Sequence, residues 1–191
     1  TNDLKFISTK VETNHEDSLT FFHDKGFKQW YTERILRYSG KRLPEIELQF
    51  IKYKSEYFER YVEAIRSSFY ELRRANDFKP YFCCEPNEAK RNELENNKDN
   101  IYLLLDGEKL AASVTVNKGS IDNVFVTPEY QGGGIGKKMM SFAVNTAIDS
   151  GSNNILLNAI ERNVRALHLY ESLGFHIVRS MYYLRLFSKS S

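Results

Sequence analysis

The stretch TPEYQGGGIGKK, from Thr127 to Lys138, sets four glycines within five positions and then changes to helix-forming residues and lysines. A glycine-dense turn between a strand and a helix leaves backbone N–H groups bare and aims them, with the positive end of the helix dipole, at one point. That point suits an anionic group; a flexible surface turn is the other use of such a run. Two phosphate-binding patterns are excluded by spacing. A Walker loop needs Gly five residues before its Gly-Lys pair and Ser or Thr after it, and Gln131 and Lys138 stand at those positions. The dinucleotide fingerprint needs a third glycine where Lys137 lies, and a βαβ unit where this chain reads as a meander.

The pattern that does fit is Q-x-x-G-x-G, written as Gln131, Gly132, Gly133, Gly134, Ile135 and Gly136 after a strand ending VFVTPEY. About 30 residues on, NVRALHLYESLGF supplies Asn163, Tyr170, Gly174 and Phe175. Together the two motifs resemble the GNAT superfamily of acetyl-CoA-dependent N-acetyltransferases, and residues 45 to 188 follow that family's element order. The resemblance implies acetyl-CoA as co-substrate and no metal. It implies that the amides of Gln131 through Lys137 hold the pyrophosphate of coenzyme A, and that the backbone of Val124, Phe125 and Val126 meets the pantetheine arm. It further implies that Asn163 contacts the cofactor and that Tyr170 protonates the departing thiolate.

Acetyl transfer from a thioester to an amine needs a neutral amine, a place for the oxyanion and a proton for the thiolate. A phenol of pKa about 10 gives its proton to a thiolate whose conjugate acid lies near 8.5 only where geometry and the local field assist. Each residue also has a plainer use: Tyr170 as a helix tyrosine packed on a sheet, Asn163 as a helix N-cap. Some family members carry Glu at the position of Asn158, and an amide there cannot take a proton at neutral pH. Asp122 and Glu161 are the carboxylates nearest in sequence and are the candidate bases, each equally readable as solvated or structural. A water chain could replace either. The acceptor surface is expected from Tyr70, Glu71, Tyr81 and Phe82 on the first helix of the main domain and its following loop, and from Tyr182 and Tyr183 near the C-terminus. The resulting reading is an N-acetyltransferase acting on a primary amine by direct transfer in a ternary complex. The alternative is a non-catalytic acyl-CoA-binding or sensing module.

The elements that must position these residues follow from periodicity. IELQFIKYK (Ile46 to Lys54) reads as a strand, and SEYFERYVEAIRSSFYELRR as an amphipathic helix ended by Asp77 to Pro80. Glu85 to Asn100 is a solvated loop or short exposed helix. A three-stranded meander runs from Asn100 to Pro128, with turns at Asp106-Gly107 and Lys118-Gly119. A helix from about Gly134 to Asp149 follows, then a buried strand NILLNAI, a helix from about Val164 to Leu173 ended by Gly174, and two strand segments in FHIVRSMYYLRLF. The fold class expected is α/β: a mixed, mostly antiparallel sheet flanked by helices.

A repeat precedes this domain. SLTFFHDKGFKQWYTERILRYSGK (Ser18 to Lys41) aligns without gaps on ALHLYESLGFHIVRSMYYLRLFSK (Ala166 to Lys189), with Gly26 on Gly174, Phe27 on Phe175 and Phe22 on Tyr170. Residues 1–44 therefore read as a truncated GNAT-like strand-helix-strand unit packed on a complete domain, 45–191. Chance similarity of two amphipathic helices ending in Gly-Phe is the alternative. The unit is expected to bury Leu19, Phe22, Phe27 and Ile35 against the main domain or a second chain, and a homodimer stays open.

Composition bounds the partners. At 191 residues and a formal net charge of +2 the chain suits one globular domain with an appendage. No basic stripe argues for nucleic acid, and no apolar run approaches the roughly 20 residues of a membrane span. Cys83 and Cys84 are the only cysteines and are sequence neighbours, which disfavours a disulfide, and no Cys or His set has zinc-ligand spacing. A reduced, cytoplasmic setting is the plain expectation.

Overall fold

The computed structural model describes residues 6–187. Among them run β1 (Phe6–Glu12), α1 (Glu16–Asp24), β2 (Lys28–Tyr38), β3 (Ile51–Lys52), α2 (Phe58–Ala75) and α3 (Glu88–Asn97). Then follow β4 (Ile101–Asp106), β5 (Lys109–Asn117), β6 (Ser120–Val126), α4 (Ile135–Asp149), β7 (Ile155–Ile160), α5 (Val164–Ser172) and β8 (Phe175–Phe187). The chain is mixed α/β with mostly antiparallel strand pairing. It divides into two compact units: a central unit from Tyr38 to Leu157, and a terminal unit joining residues up to Arg37 to those from Asn158 onward.

In the central unit the strand order is β3-β4-β5-β6-β7. β4, β5 and β6 form the meander, through a two-residue turn at Gly107-Glu108 and another at Lys118-Gly119, whose φ angles of 45° and 87° suit a hairpin. The first turn thus sits one residue later than the sequence suggests. β5 is buried at every interior position because α2 and α4 both pack on it. α2 presents Phe58, Tyr61, Val62 and Ile65, spaced at three and four, to Leu94, Ile101, Leu103 and Phe125. α4 buries Met139, Met140, Ala143, Val144 and Ala147. The strand expected over Ile46 to Lys54 shrinks to Ile51–Lys52. The alternating apolar residues before it serve packing instead: Phe50 stacks on Phe142 of α4 with ring centroids 4.4 Å apart. Just upstream, Leu43 exchanges two 2.9 Å hydrogen bonds with the Asn145 amide.

The terminal unit has the strand order β1-β8-β2-β7. β1-α1-β2 and β7-α5-β8 are matching strand-helix-strand halves, and each half's two strands are separated by one strand of the other. The match extends to single bonds. Thr13 N–H donates to Ser180 O at 3.0 Å, and its counterpart Glu161 N–H donates to Thr32 O at 2.9 Å. His15 N–H donates to Glu12 O at 3.1 Å, and Asn163 N–H to Ile160 O at 2.8 Å. Gly26 and Gly174, at φ 86° and 103°, end both helices in the left-handed region that favours glycine. The aligned residues Ser188 and Lys189 lie outside the described residues.

Two expectations change here. FHIVRSMYYLRLF forms one thirteen-residue strand, not two segments. Leu19 and Phe22 are only half-buried, because α1 is a short helix with no fully buried residue, and Phe27 and Ile35 beyond it are half-buried too. The sealed positions are Leu36 and Leu184, both 0 % exposed.

Candidate active site

The loop between β6 and α4 is anchored before it reaches its glycines. Thr127 is buried, with its N–H on Ala111 O at 3.0 Å and its hydroxyl donating to the same carbonyl at 3.1 Å. Tyr130 donates to Asp106 at 2.7 Å, and Gln131 Nε2 folds back onto Val126 O at 2.9 Å. Beyond these ties the chain is bare. Gly132 and Gly134 take φ of 87° and 80°, which only glycine adopts cheaply. A Cβ on Gly132, Gly133 or Gly134 would meet no protein atom within 4 Å. At Gly133, whose φ is ordinary, nothing in the fold itself therefore calls for glycine; a ligand lying on the backbone would.

Gly134 is the N-cap of α4 and offers no side-chain cap. The Lys138 N–H, 3.2 Å from Gly134 O, is the start of the i to i−4 bonding, so the N–H groups of Ile135, Gly136 and Lys137 precede that ladder. No acidic residue lies in the first turn, and Lys137 and Lys138 are exposed there. Cations at a helix N-terminus oppose the macrodipole, and an anion bound at the same point reverses that penalty. These residues fit the diphosphate of coenzyme A.

β6 supplies a second feature. Its register against β5 shifts between Ser113 and Thr115, and Asn123 sits at φ 47°, marking a bulge. Thr127 bonds Ala111 and Phe125 faces Ser113, so Val126 between them directs its N–H away from β5. The parallel pairing of β6 with β7 covers Ser120–Leu156 and Ile121–Leu157. Val124 and Val126 are half-buried, while Phe125 sends its ring into the core, edge-on to Tyr61 at 5.7 Å. Phe125 can therefore offer a ligand only its backbone. Asp122, exposed on the same strand, accepts from Ser120 Oγ at 2.6 Å.

The remaining candidates belong to the terminal unit. Asn163 caps α5, accepting from Ala166 N–H at 3.3 Å, so its structural use is realised. Tyr170 is 6 % exposed, and burial pushes its phenol up to about 12. Glu161 is held by Arg34, which also donates to Ser180 Oγ at 2.5 Å. Arg34 was invisible to sequence reasoning: it lies 127 residues from Glu161 and belongs to no motif. Asn158 is exposed on β7.

Of the expected acceptor residues, Tyr70 stacks on Phe82 at 4.8 Å with Arg66 over Phe82 at 5.0 Å, which leaves Phe82 51 % exposed. Glu71 pairs with Arg74, and Tyr81 donates to Asp77 at 2.5 Å. In the terminal unit Tyr183 stacks on Tyr31 at 4.2 Å, beneath Lys10, and Tyr182 is half-buried. Of the expected aromatics, Tyr70 and Phe82 thus stack on each other within the central unit, and Tyr183 stacks on Tyr31 within the terminal unit.

Comparison with known proteins bears on this arrangement. Residues 62–175 match the model of the Acetyltransferase (GNAT) family. A thialysine N-epsilon-acetyltransferase of Bos taurus is 37 % identical over 54 residues, 28 % of this chain and 32 % of that protein. The L-amino acid N-acyltransferase MnaT of Escherichia coli K12 is 36 % identical over 59 residues, 31 % of this chain and 34 % of its own. The matched stretches thus span about a third of these two curated relatives. In fold, a GCN5-related N-acetyltransferase from Sphaerobacter thermophilus superposes with a TM-score of 0.74 at 13 % identity, over 95 % of this chain and 59 % of its own. An acetyltransferase from Colwellia psychrerythraea gives 0.67 at 15 %, over 95 % and 65 %. The family match covers more than half of the sequence and takes in both the glycine loop and the Asn163 to Phe175 signature, so the chain belongs to the acetyltransferase (GNAT) family.

Proposed function

We propose that the protein moves an acetyl group from acetyl-CoA to a primary amine by direct attack within a ternary complex. One observation carries the reading: the uncapped start of α4, with left-handed glycines, an empty cradle at Gly133 and two lysines in a turn where a bare helix disfavours them. In this reading the amides from Gln131 to Lys137 hold the diphosphate. The outward N–H of Val126 and the bulge at Asn123 receive the pantetheine amide and the thioester oxygen. Asn163 adds a cofactor contact to its capping bond, and Tyr170 supplies the thiolate's proton. A phenol raised to about 12 stands about 3.5 units above an ordinary thiol in water, an uphill transfer of about 5 kcal/mol if the thiolate kept its aqueous proton affinity. Desolvation that raises the phenol raises the thiolate's proton affinity as well, which narrows the gap.

Asp122 is the freer of the two candidate bases, since Glu161 is already committed to Arg34. The relatives' names speak of an ε-amine and of L-amino acids, which supports an amino group as acceptor. Cys83 and Cys84 are both free thiols, which suits the cytoplasmic setting this reading includes. No helix among the described residues is long and apolar enough to cross a membrane. The test is incubation with acetyl-CoA and a panel of amines, following free thiol and acetylated product. Thiol release that depends on the amine supports the enzyme. Binding of acetyl-CoA with no release for any amine supports the second reading, an acyl-CoA-binding module, which the Arg34–Glu161 pair and the amide at Asn158 favour.

A further inference from the structure

Two arginines of α2 are held in place without a carboxylate. Arg66 is half-buried, with its guanidinium 5.0 Å from the centroid of the Phe82 ring, and its N–H groups meet no protein acceptor among the described residues. Glu63, one turn earlier, is exposed and does not pair with it. Arg73 donates Nε to Pro80 O at 2.7 Å, and the two terminal nitrogens of its fork have no partner among the described residues. The other carboxylates nearby are committed: Glu71 to Arg74, Glu59 to Arg91, and Asp77 to Lys79 and Tyr81. A partly desolvated guanidinium with no counter-ion is unfavourable, and one whose plane is already fixed is a pre-organised receptor for a carboxylate.

Their placement gives this a use. Seven residues apart, Arg66 and Arg73 lie on one side of α2 with Tyr70 between them. Tyr70 stacks on Phe82 at 4.8 Å, and Phe82 is 51 % exposed, so an open aromatic wall stands beside the two cations. Burial pushes the Cys83 thiol up while Arg73 and Arg66 draw it down, so both cations lie near the loop that carries Phe82. The fully buried residues of α2 end at Ile65, and every residue from 66 to 70 is half-buried, which leaves this part of the helix partly open. Phe69 meets the Phe125 ring at 6.3 Å, and Phe125 lies between Val124 and Val126 on the strand proposed to carry the pantetheine arm. All of these residues belong to the central unit.

We propose that the acceptor is an amine that also carries a carboxylate, and that Arg66 selects it by holding that carboxylate, with Phe82 and Tyr70 forming the wall along its carbon skeleton. The proposal rests on the acetyl-transfer reading above. Two sources supply this chemistry, a free amino acid and an acidic side chain next to the amino terminus of a peptide. The amine of either would point toward β6 while the carboxylate stays on the guanidinium fork.

The test titrates matched amines into the full chain saturated with coenzyme A, where no acetyl group is present and binding is read without chemistry. L-leucine is set against L-leucinamide, and a peptide with glutamate second against the same peptide with glutamine there. In at least one pair the carboxylate should tighten binding about 10- to 100-fold, the effect of charge-assisted hydrogen bonds to a fixed fork. Arg66→Gln should erase that difference while leaving the amide's Kd, the coenzyme Kd and the melting temperature unchanged, since Arg66 makes no protein hydrogen bond. Arg66→Lys should restore only part of it, because an ammonium lacks the fork. A difference in the first pair assigns a small amino acid, and one in the second pair alone a peptide. Equal binding within both pairs would overturn the proposal, as would a preference that survives Arg66→Gln or is lost only in Arg73→Gln. Should no amine be acetylated while Arg66→Gln still abolishes a carboxylate preference, the acetyl-transfer reading falls and the carboxylate site stands.

Discussion

Replacing Gly133 by alanine separates what the glycine loop does for the fold from what it does for a ligand. Its φ lies outside the left-handed region and an added Cβ meets nothing within 4 Å, so the folded chain accepts the methyl group without strain. The unfolded chain loses entropy, which stabilises the variant by about 0.4–1 kcal/mol. For a protein of this length that is a melting temperature equal to wild type or up to about 4 °C higher. A diphosphate drawn onto the same backbone would be pushed off by the methyl group. Losing one charge-assisted hydrogen bond costs about 1.5–3 kcal/mol, a Kd for coenzyme A raised about 10- to 100-fold. Gly134→Ala is the control: at φ 80° it should cost about 1–2 kcal/mol of stability whether or not a ligand exists. Scanning calorimetry without ligand and titration calorimetry with coenzyme A give both numbers. A Gly133→Ala protein that binds coenzyme A as tightly as wild type would refute the cradle.

Tyr170→Phe should keep coenzyme affinity and lose about 10²-fold in kcat if the phenol is the sole general acid. The same phenol, raised to about 12 from an ordinary 10, contributes stability that is whole below pH 10 and lost as pH rises through 12, at most about 3 kcal/mol. Melting temperatures between pH 9 and 12 should therefore fall less steeply in Tyr170→Phe; because burial also raises Tyr31 and Tyr61, the variant should keep part of the decline. Glu161→Gln should leave turnover intact while lowering the melting temperature, since its carboxylate serves Arg34; lost turnover at an unchanged melting temperature would make Glu161 the base. Deleting residues 1–38 removes β2 from between β8 and β7, and the product should be insoluble or lack a cooperative melt.

The parts of this structure that sequence made legible are those fixed by local chemistry. Gly132 and Gly134 announce a left-handed turn because little else tolerates one, and Gly26 and Gly174 reveal the repeat for the same reason. What stayed hidden depends on pairing across long separations. The alternation in Lys28–Tyr38 fits any neighbour, so nothing local says that β2 lies between β8 and β7. Ser180 looks like a break in its strand, yet it accepts from Arg34 and continues the ladder through Thr13. The alternating apolar residues from Ile46 to Phe50 imitate a strand but are half-buried for another purpose, the cover of α4. Within AASVTV on β5, Ser113 and Thr115 read as ordinary strand residues; only burial exposes them as hydroxyls without partners.

The central claim, that the start of α4 holds the coenzyme through its backbone, is tested most directly by amide hydrogen exchange with and without acetyl-CoA. The amides of Ile135, Gly136 and Lys137 precede the helical bonding and should exchange rapidly in the free protein. On saturation with acetyl-CoA they should slow by at least about 10-fold, along with Gly133 and Gly134, as they bond to the diphosphate. Saturation binding that leaves these amides exchanging at their free rate would contradict the account.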